Sequence, residues 1–182
     1  PDGYDRDSRT VEGGVDPNRS YPWPGDANAE STDCVRELRD LYEKEKFDAY
    51  IDMHASGRMW MMPWAYTQND FTEGNRGNRL SGLVQKMASF NGYRWGQIPD
   101  MVGYTAPGSS ADWFYLRGKE LGINTLALGA EIGTSKRPPR SEIATETQKV
   151  HRPLLTFIEE GPLLFQNNFV AVEYDKQVFE KP

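Results

Sequence analysis

Apolar residues recur along this chain in two periods, and the two periods predict alternating helices and strands. Spacings of i, i+3 and i+4, typical of amphipathic helices, occur in residues 29–46, 74–90 and 141–161. Short continuous apolar runs, typical of buried strands, occur in residues 47–55, 59–64 and 123–133. A further helix is predicted after the glycine-rich loop 104–110, with Ser109 or Ser110 as its N-cap and Gly122 at its end.

The same spacings predict which side chains face the core. In the helix at residues 74–90, the predicted inward residues are Leu80, Leu83, Val84, Met87 and Phe90. In the first strand, Ala49, Ile51 and Met53 are expected to share one face, because successive strand residues point to opposite faces. Pro63 is expected to end the second strand, and Pro153 is a candidate kink in the last helix.

The order of these elements predicts the fold class. Helices alternate with strands whose two faces are both apolar, which is typical of an α/β sheet covered by helices on both sides. We expect one domain, over residues 1–162. Residues 163–182 include the stretch "LFQNNFVAVEYDKQVFE", which has strand character and is expected to form a C-terminal extension at a sheet edge.

Charge and composition narrow the class of partner. The chain carries 21 Lys and Arg against 27 Asp and Glu, and this net charge of −6 argues against a nucleic-acid binder. No apolar run approaches the roughly 20 residues that span a bilayer. Cys34 is the only cysteine, so the cysteine content leaves the compartment open, with a secreted or periplasmic location favoured over a cytoplasmic one. The oligomeric state is not specified by the sequence.

Two polar residues stand at the ends of predicted strands. His54 follows the run "DAYIDM", and Glu131 follows "NTLALGA". Ligands of open α/β sheets bind outside the carboxyl ends of the strands, and a histidine with a glutamate there suits a metal with a general base. From the residues alone, a hydrogen-bonded structural histidine and a solvated glutamate are the more common interpretations of such positions.

Five segments in a fixed order carry a family resemblance: "PDGY", "GVDPNRS", "IDMHASGRMWMMPWAYT", "YTAPGSSADWFY" and "LGAEIGT". Together they resemble the zinc carboxypeptidases, the carboxypeptidase A-like metallopeptidases, from residue 1 to about residue 160. The resemblance implies that residues 1–162 form the C-terminal part of the catalytic domain. It also implies a mixed, mostly parallel sheet, with the N-terminal part of that domain missing.

The resemblance implies a zinc site and a reaction at the strand ends. His54 matches the third zinc ligand of the family. Glu131 matches the glutamate that takes a proton from zinc-bound water and passes it to the leaving amine. Arg9 matches the arginine that stabilises the oxyanion, with Arg6 as a rival, and Asp16 matches the carboxylate that orients a zinc-bound imidazole.

The resemblance also implies a peptide substrate with a free C-terminus. Asn18 and Arg19 match the pair that binds the terminal carboxylate, and Tyr104 matches the tyrosine that closes over it. We call these three residues the carboxylate clamp. A guanidinium suits this task because its planar fork makes two charge-assisted hydrogen bonds to a carboxylate. Ala111 matches a position in the specificity pocket, where a small uncharged residue argues against basic C-terminal side chains.

One part of the family pattern has no match. The family supplies two zinc ligands from a His-x-x-Glu segment upstream of "PDG", whereas this sequence holds only His54 and His151. Because the chain begins without Met inside a turn sequence, we expect a poorly active fragment of a complete metallocarboxypeptidase. The alternatives are a metal-free pseudoenzyme or carboxylate-binding module, and a relative that cleaves peptidoglycan peptides.

Overall fold

The computed structural model describes residues 5–27, 29 and 32–165 of the 182-residue chain. Its helices are α1 (Asp33–Glu45), α2 (Asn75–Asn91), α3 (Ile98–Val102), α4 (Ser110–Glu120) and α5 (Arg140–Glu160). Its strands are β1 (Ala49–His54), β2 (Met59–Met62), β3 (Arg94–Gln97) and β4 (Leu126–Glu131). Short 3₁₀ turns are formed by Glu12–Gly14, Pro17–Arg19 and Pro162–Phe165.

The four strands form one sheet in the order β1-β4-β2-β3. β1 runs parallel to β4 and β2 runs parallel to β3, whereas β2 and β4 are antiparallel. The sheet is therefore mixed and mostly parallel, as predicted.

Helices cover both faces of this sheet. The Thr125 side chain, just before β4, hydrogen-bonds Tyr42 of α1. It also lies against Gly118 of α4, so closely that a Cβ atom on Gly118 would be 2.6 Å from the Thr125 Cβ. Leu126 points to the opposite face, where its Cδ2 atom approaches Gly161 at the end of α5. The predicted α/β class is confirmed, and Gly118 shows how closely α4 is packed on the sheet.

Aromatic side chains dominate the core between the sheet and the helices. Tyr42, Trp60, Phe114 and Tyr115 are fully buried, and Tyr50 of β1 stacks on Phe114 with ring centroids 3.8 Å apart. Buried aromatics each remove about 150–250 Å² of surface from water. This packing fixes β1 and α4 against each other, and both elements carry predicted site residues.

One predicted core position, Phe90, is wrong, and one residue of β1 is more exposed than its neighbours. Phe90, in the last turn of α2, is 44% exposed and lies beside the Arg152 guanidinium; Asn91 instead accepts a hydrogen bond from the buried Trp60 indole. Met53 is 46% exposed because β1 is the outermost strand of the described sheet. Its neighbours Ala49 and Ile51 are half-buried.

Two short elements, β3 and α3, are not predicted by the apolar pattern. β3 spans four residues, of which the first two are exposed, so it carries no run of buried positions. Pro153 lies inside α5, which continues to Glu160. Of the predicted extension, residues 166–182 lie outside the described residues, as does the "PDGY" segment, and Leu164 belongs to a 3₁₀ turn.

None of the described helices has both the length and the apolar character needed to cross a membrane.

Candidate active site

His54 and Glu131 lie side by side at the carboxyl ends of two adjacent strands. They are register partners in the parallel β1–β4 pair, so their side chains leave the same face of the sheet. The backbone holds this register beyond the strands, because the Ile132 N–H donates to the His54 carbonyl at 2.8 Å. The Gly57 N–H donates to the Gly133 carbonyl at 3.0 Å, which joins the two loops that follow.

One crevice contains all the predicted site residues except Asp16. It is open to solvent, and the empty space in and at the mouth of the crevice amounts to about 450 Å³. Its polar lining comprises Arg9, Asn18, Arg19, Asp52, His54, Tyr104, Ser109 and Glu131, and its apolar lining comprises Met61, Ile98, Val102, Ala106, Ala111 and Gly129. The structure thus brings together residues that lie far apart in the sequence, from Arg9 to Glu131.

A carboxylate that the sequence analysis missed contacts the His54 imidazole. Asp52 Oδ2 lies 2.7 Å from His54 Nε2, and the same oxygen accepts hydrogen bonds from the Asn18 amide at 2.7 Å and the Ser110 hydroxyl at 2.6 Å. The signal was present in the alternation of β1, because Asp52 and His54 are two residues apart and therefore share a face.

The Asn18 side chain joins the crevice to the start of α4. Its Oδ1 atom accepts a hydrogen bond from the Ser110 backbone N–H at 2.8 Å, one of the N–H groups that a helix start leaves without an intrahelical partner. Its Nδ2 atom points the other way, toward Asp52 and His54. Asn18 itself lies in the 3₁₀ turn Pro17–Arg19. Its own backbone N–H, at the start of that turn, donates to Asp16 Oδ1 at 3.0 Å.

Asp16 lies in the turn before Asn18 and contacts the Arg9 side chain. Its carboxylate accepts hydrogen bonds from the Arg9 side chain and the Asn18 backbone, and it does not contact His54. The described carboxylate that contacts the His54 imidazole is Asp52. The hydrogen bond to Asp16 raises the pKa of Arg9, which lines the crevice, whereas the rival Arg6 does not line it.

The other two residues of the carboxylate clamp, Arg19 and Tyr104, also line the crevice. Arg19 donates to the Asn18 carbonyl at 2.7 Å, and its own backbone lies against Gly108, where a Cβ would come within 2.4 Å of the Arg19 carbonyl oxygen. Gly108 has a φ of +76°, so both its backbone conformation and the close approach require glycine. Tyr104 is 54% exposed, so its side chain is accessible to a ligand.

A buried carboxylate follows Ala111 of the apolar lining in the sequence. Ala111 is almost fully buried in the first turn of α4, next to Asp112, which is completely inaccessible to solvent. Asp112 accepts hydrogen bonds from the backbone N–H groups of Ala65 and Tyr66 at 2.8 and 2.9 Å. Burial raises the pKa of Asp112 to about 7, and these hydrogen bonds oppose that effect.

The Glu131 carboxylate is partly buried and poorly partnered. Its Oε2 atom is shielded from solvent and has no hydrogen-bond partner among the described residues. Burial raises its pKa above the ordinary value, while the positive charges of His54 and Arg9 act in the opposite direction. A carboxylate in this state can accept a proton more readily than an exposed one.

His54 and Asp52 are hydrogen-bonded neighbours whose pKa values shift in opposite directions. Burial alone would raise the pKa of Asp52, but the hydrogen bond from His54 and the further bonds from Ser110 and Asn18 lower it. The hydrogen bond to Asp52 raises the pKa of His54. The described residues hydrogen-bond the imidazole only at Nε2, so none of them bonds Nδ1.

The described residues do not form a complete zinc site. A catalytic zinc takes about three protein ligands. In the part of the chain that the structure describes, no group of three or more His, Cys, Asp or Glu side chains could hold a metal ion. Cys34 and His151 are exposed on α1 and α5 and do not line the crevice, so His54 is the one imidazole available there.

Comparison with known proteins shows that the sequence matches a peptidase family. The family model described as "Zinc carboxypeptidase" matches residues 1–151. No protein in the curated set matches the chain.

Solved structures share the fold at low identity. A structure of bovine thrombin-activatable fibrinolysis inhibitor in complex with tick carboxypeptidase inhibitor has a TM-score of 0.69 at 19% identity, covering 89% of this chain and 66% of that one. Another structure of thrombin-activatable fibrinolysis inhibitor gives 0.71 at 18%, covering 89% and 49%. Carboxypeptidase A from Helicoverpa armigera gives 0.69 at 15%, covering 90% and 49%. The chain thus spans between about half and two-thirds of the length of these structures.

Proposed function

The chain belongs to the zinc carboxypeptidase family, and from this premise we propose that its crevice serves the hydrolysis of the C-terminal peptide bond of peptides. One observation supports this proposal above the others. The Glu131 carboxylate has a buried oxygen without a partner among the described residues, and it lies beside His54 on the same face of the sheet. A group this costly to bury is expected where chemistry uses it.

In this proposal Glu131 is the general base. It takes a proton from the attacking water and passes it to the leaving amine, a role favoured by the raised pKa of its carboxylate. Arg9 stabilises the developing oxyanion, because its guanidinium lines the same crevice. Asp16 holds Arg9 in place by their ion pair.

The carboxylate clamp supplies the preference for a free C-terminus. Arg19 provides the planar fork of donors, and Tyr104 is exposed enough to close over a bound ligand. These contacts exist equally in the ground state and the transition state, so they position the substrate more than they accelerate the reaction. The apolar lining of the crevice, which includes Met61 and Ala111, favours apolar over basic C-terminal side chains.

Zinc is the cofactor that we propose for the complete protein, with His54 as the ligand from this chain. When bound, zinc polarises the scissile carbonyl and lowers the pKa of water. A three-ligand site needs two more ligands than the described residues provide. Activity is therefore expected of the full-length protein and not of residues 1–182 alone.

The test compares two peptides that differ only at the terminus, one with a free carboxylate and one amidated. The full-length protein should release the last residue of the free peptide, and a chelator should abolish this release. Arg19→Ala should lower kcat/KM roughly 10- to 150-fold for the free peptide, from the loss of about 1.5–3 kcal/mol of charge-assisted hydrogen bonding. Arg36→Ala, which removes an exposed arginine of α1, is the matched control.

Equal cleavage of the amidated peptide would contradict the assignment of the carboxylate clamp. A preference for cell-wall peptides over ordinary ones would indicate a peptidoglycan-cleaving relative.

A second candidate is a non-catalytic module that binds C-terminal carboxylates. The observation in its favour is that the carboxylate clamp lies around one crevice, whereas the described residues hold no complete metal site. This module would bind the free peptide in the presence of chelator, lose binding in Arg19→Ala and release no amino acid.

A further inference from the structure

Asp52 fixes more than the position of its neighbours, because the network around it leaves one arrangement of protons. The starting point is the Ser110 backbone N–H, which can only donate. It lies 2.8 Å from the Asn18 side chain, so the atom facing it must be the amide oxygen Oδ1. The amide nitrogen Nδ2 is therefore the atom that faces Asp52 and His54.

The Asp52 oxygen then determines the protonation of the imidazole. Oδ2 receives the Asn18 amide at 2.7 Å and the Ser110 hydroxyl at 2.6 Å, and His54 Nε2 lies 2.7 Å away. An ionised carboxylate only accepts hydrogen bonds. If Nε2 carried a lone pair, it would face the negative oxygen at hydrogen-bond distance, so Nε2 must carry the proton.

We propose that Asp52 is a positioning residue that holds neutral His54 as the Nε2–H tautomer and so leaves the electron pair of the ring on Nδ1. Nδ1 is the nitrogen that none of the described residues hydrogen-bonds. The same carboxylate joins three elements: β1, the turn that carries Asn18 and Arg19, and the start of α4. The assignment of the tautomer is independent of the proposed function. Only the role of the Nδ1 electron pair rests on that function.

The geometry also predicts what happens without Asp52. Asn18 Nδ2 lies 2.9 Å from His54 Nε2, and Ser110 keeps that amide nitrogen turned toward the ring. In Asp52→Ala the amide has lost its carboxylate acceptor and can donate to Nε2 instead. The imidazole should then move its proton to Nδ1, so the tautomer inverts and does not merely lose its preference.

The test is ¹⁵N NMR of the histidine rings in this chain, at a pH where both imidazoles are neutral. The chain has only two histidines, and His151 is exposed on α5, so it is an internal reference in every sample. Wild-type His54 should show the Nε2–H pattern, and Asp52→Ala the Nδ1–H pattern. Asn18→Ala should keep the wild-type pattern, and the double variant should resemble His151.

Asp48→Ala is the matched control, because Asp48 is an exposed aspartate just before the same strand. An Nδ1–H pattern in wild-type His54 would overturn the proposal without any variant. So would an unchanged pattern in a folded Asp52→Ala protein, or inversion in Asn18→Ala, which would assign the positioning role to Asn18. None of these results depends on hydrolysis. The proposed function is tested separately, by the release of C-terminal residues.

Discussion

Two glutamates at the same end of the sheet lie in opposite environments. Glu131 ends β4; burial raises the pKa of its carboxylate, and its Oε2 atom has no partner among the described residues. Glu146 of α5 lies close by, with its Cγ 3.9 Å from where a Gly133 Cβ would be. It is also buried, but hydrogen bonds from Arg58 and Lys149 lower its pKa to about 2.

The difference separates a carboxylate that stabilises the fold from one that is available for chemistry. Glu146 accepts hydrogen bonds from Arg58, from Lys149 at 2.9 Å and from the Tyr93 hydroxyl at 3.3 Å. The Tyr93 hydroxyl in turn accepts from the Gly133 N–H. Glu146 therefore ties the loops that follow β1 and β4 to α5, whereas Glu131, the last residue of β4, costs stability.

The largest effect is expected from Glu131→Gln in the full-length protein. Removal of a general base typically lowers the rate about 10²- to 10⁴-fold. The free energy of unfolding should not fall, because the substitution removes a partly buried charge that lacks a partner. Steady-state hydrolysis and denaturant unfolding of the same samples check both parts. Hydrolysis within a few-fold of wild type would contradict the assignment of the base.

The next largest effect is expected from Glu146→Gln, which should lower stability and leave hydrolysis unchanged. Losing a buried acceptor of charged hydrogen bonds should cost about 1–3 kcal/mol of unfolding free energy. Below the melting temperature, the full-length variant should still release C-terminal residues. Glu142→Gln, one turn earlier on α5 and exposed, is the control and should change neither quantity. A Glu146→Gln protein as stable as wild type would remove the distinction between the two carboxylates.

The smallest effect concerns the pH dependence of stability, and its sign differs between the two residues. The folded pKa of Glu146 is about 2, below the ordinary value of 4.5, so its contribution is present above 4.5 and is lost as the pH falls toward 2. The folded pKa of Glu131 is raised, so the folded state binds its proton more tightly and stability falls as the pH rises above 4.5.

Denaturant unfolding at a series of pH values measures this difference. Relative to wild type, Glu146→Gln should be most destabilised near neutral pH and least below pH 3. Glu131→Gln should gain stability relative to wild type as the pH rises above 4.5. If the difference in unfolding free energy from wild type changed with pH in the same direction in both variants, the environments assigned to the two glutamates would be contradicted.

The meeting of His54 and Glu131 was predictable, whereas the partners of both were less so. Each residue ends an apolar run, and parallel strands bring their carboxyl ends to one edge. Asp52 was within reach of the alternation in β1, but its other donors come from Asn18 and Ser110, 34 and 58 residues away. No local pattern specifies such contacts.

The same limit applies to the stabilising carboxylate. Arg58 and Glu146 are 88 residues apart, and each looks like an ordinary surface charge in the sequence. The short β3 strand carries too few buried positions to show a period. Local patterns therefore predicted the α/β class and the edge that holds the site. The environment that distinguishes one glutamate from the other depends on tertiary contacts.

The most direct test of this account is a ¹³C NMR titration of the glutamate carboxyl groups in the folded chain. Glu131 should titrate above the ordinary value of 4.5, and Glu146 near 2. Glu131→Gln and Glu146→Gln identify the two resonances. A Glu131 midpoint at or below the ordinary value of 4.5 would contradict the claim that this carboxylate is held ready to accept a proton.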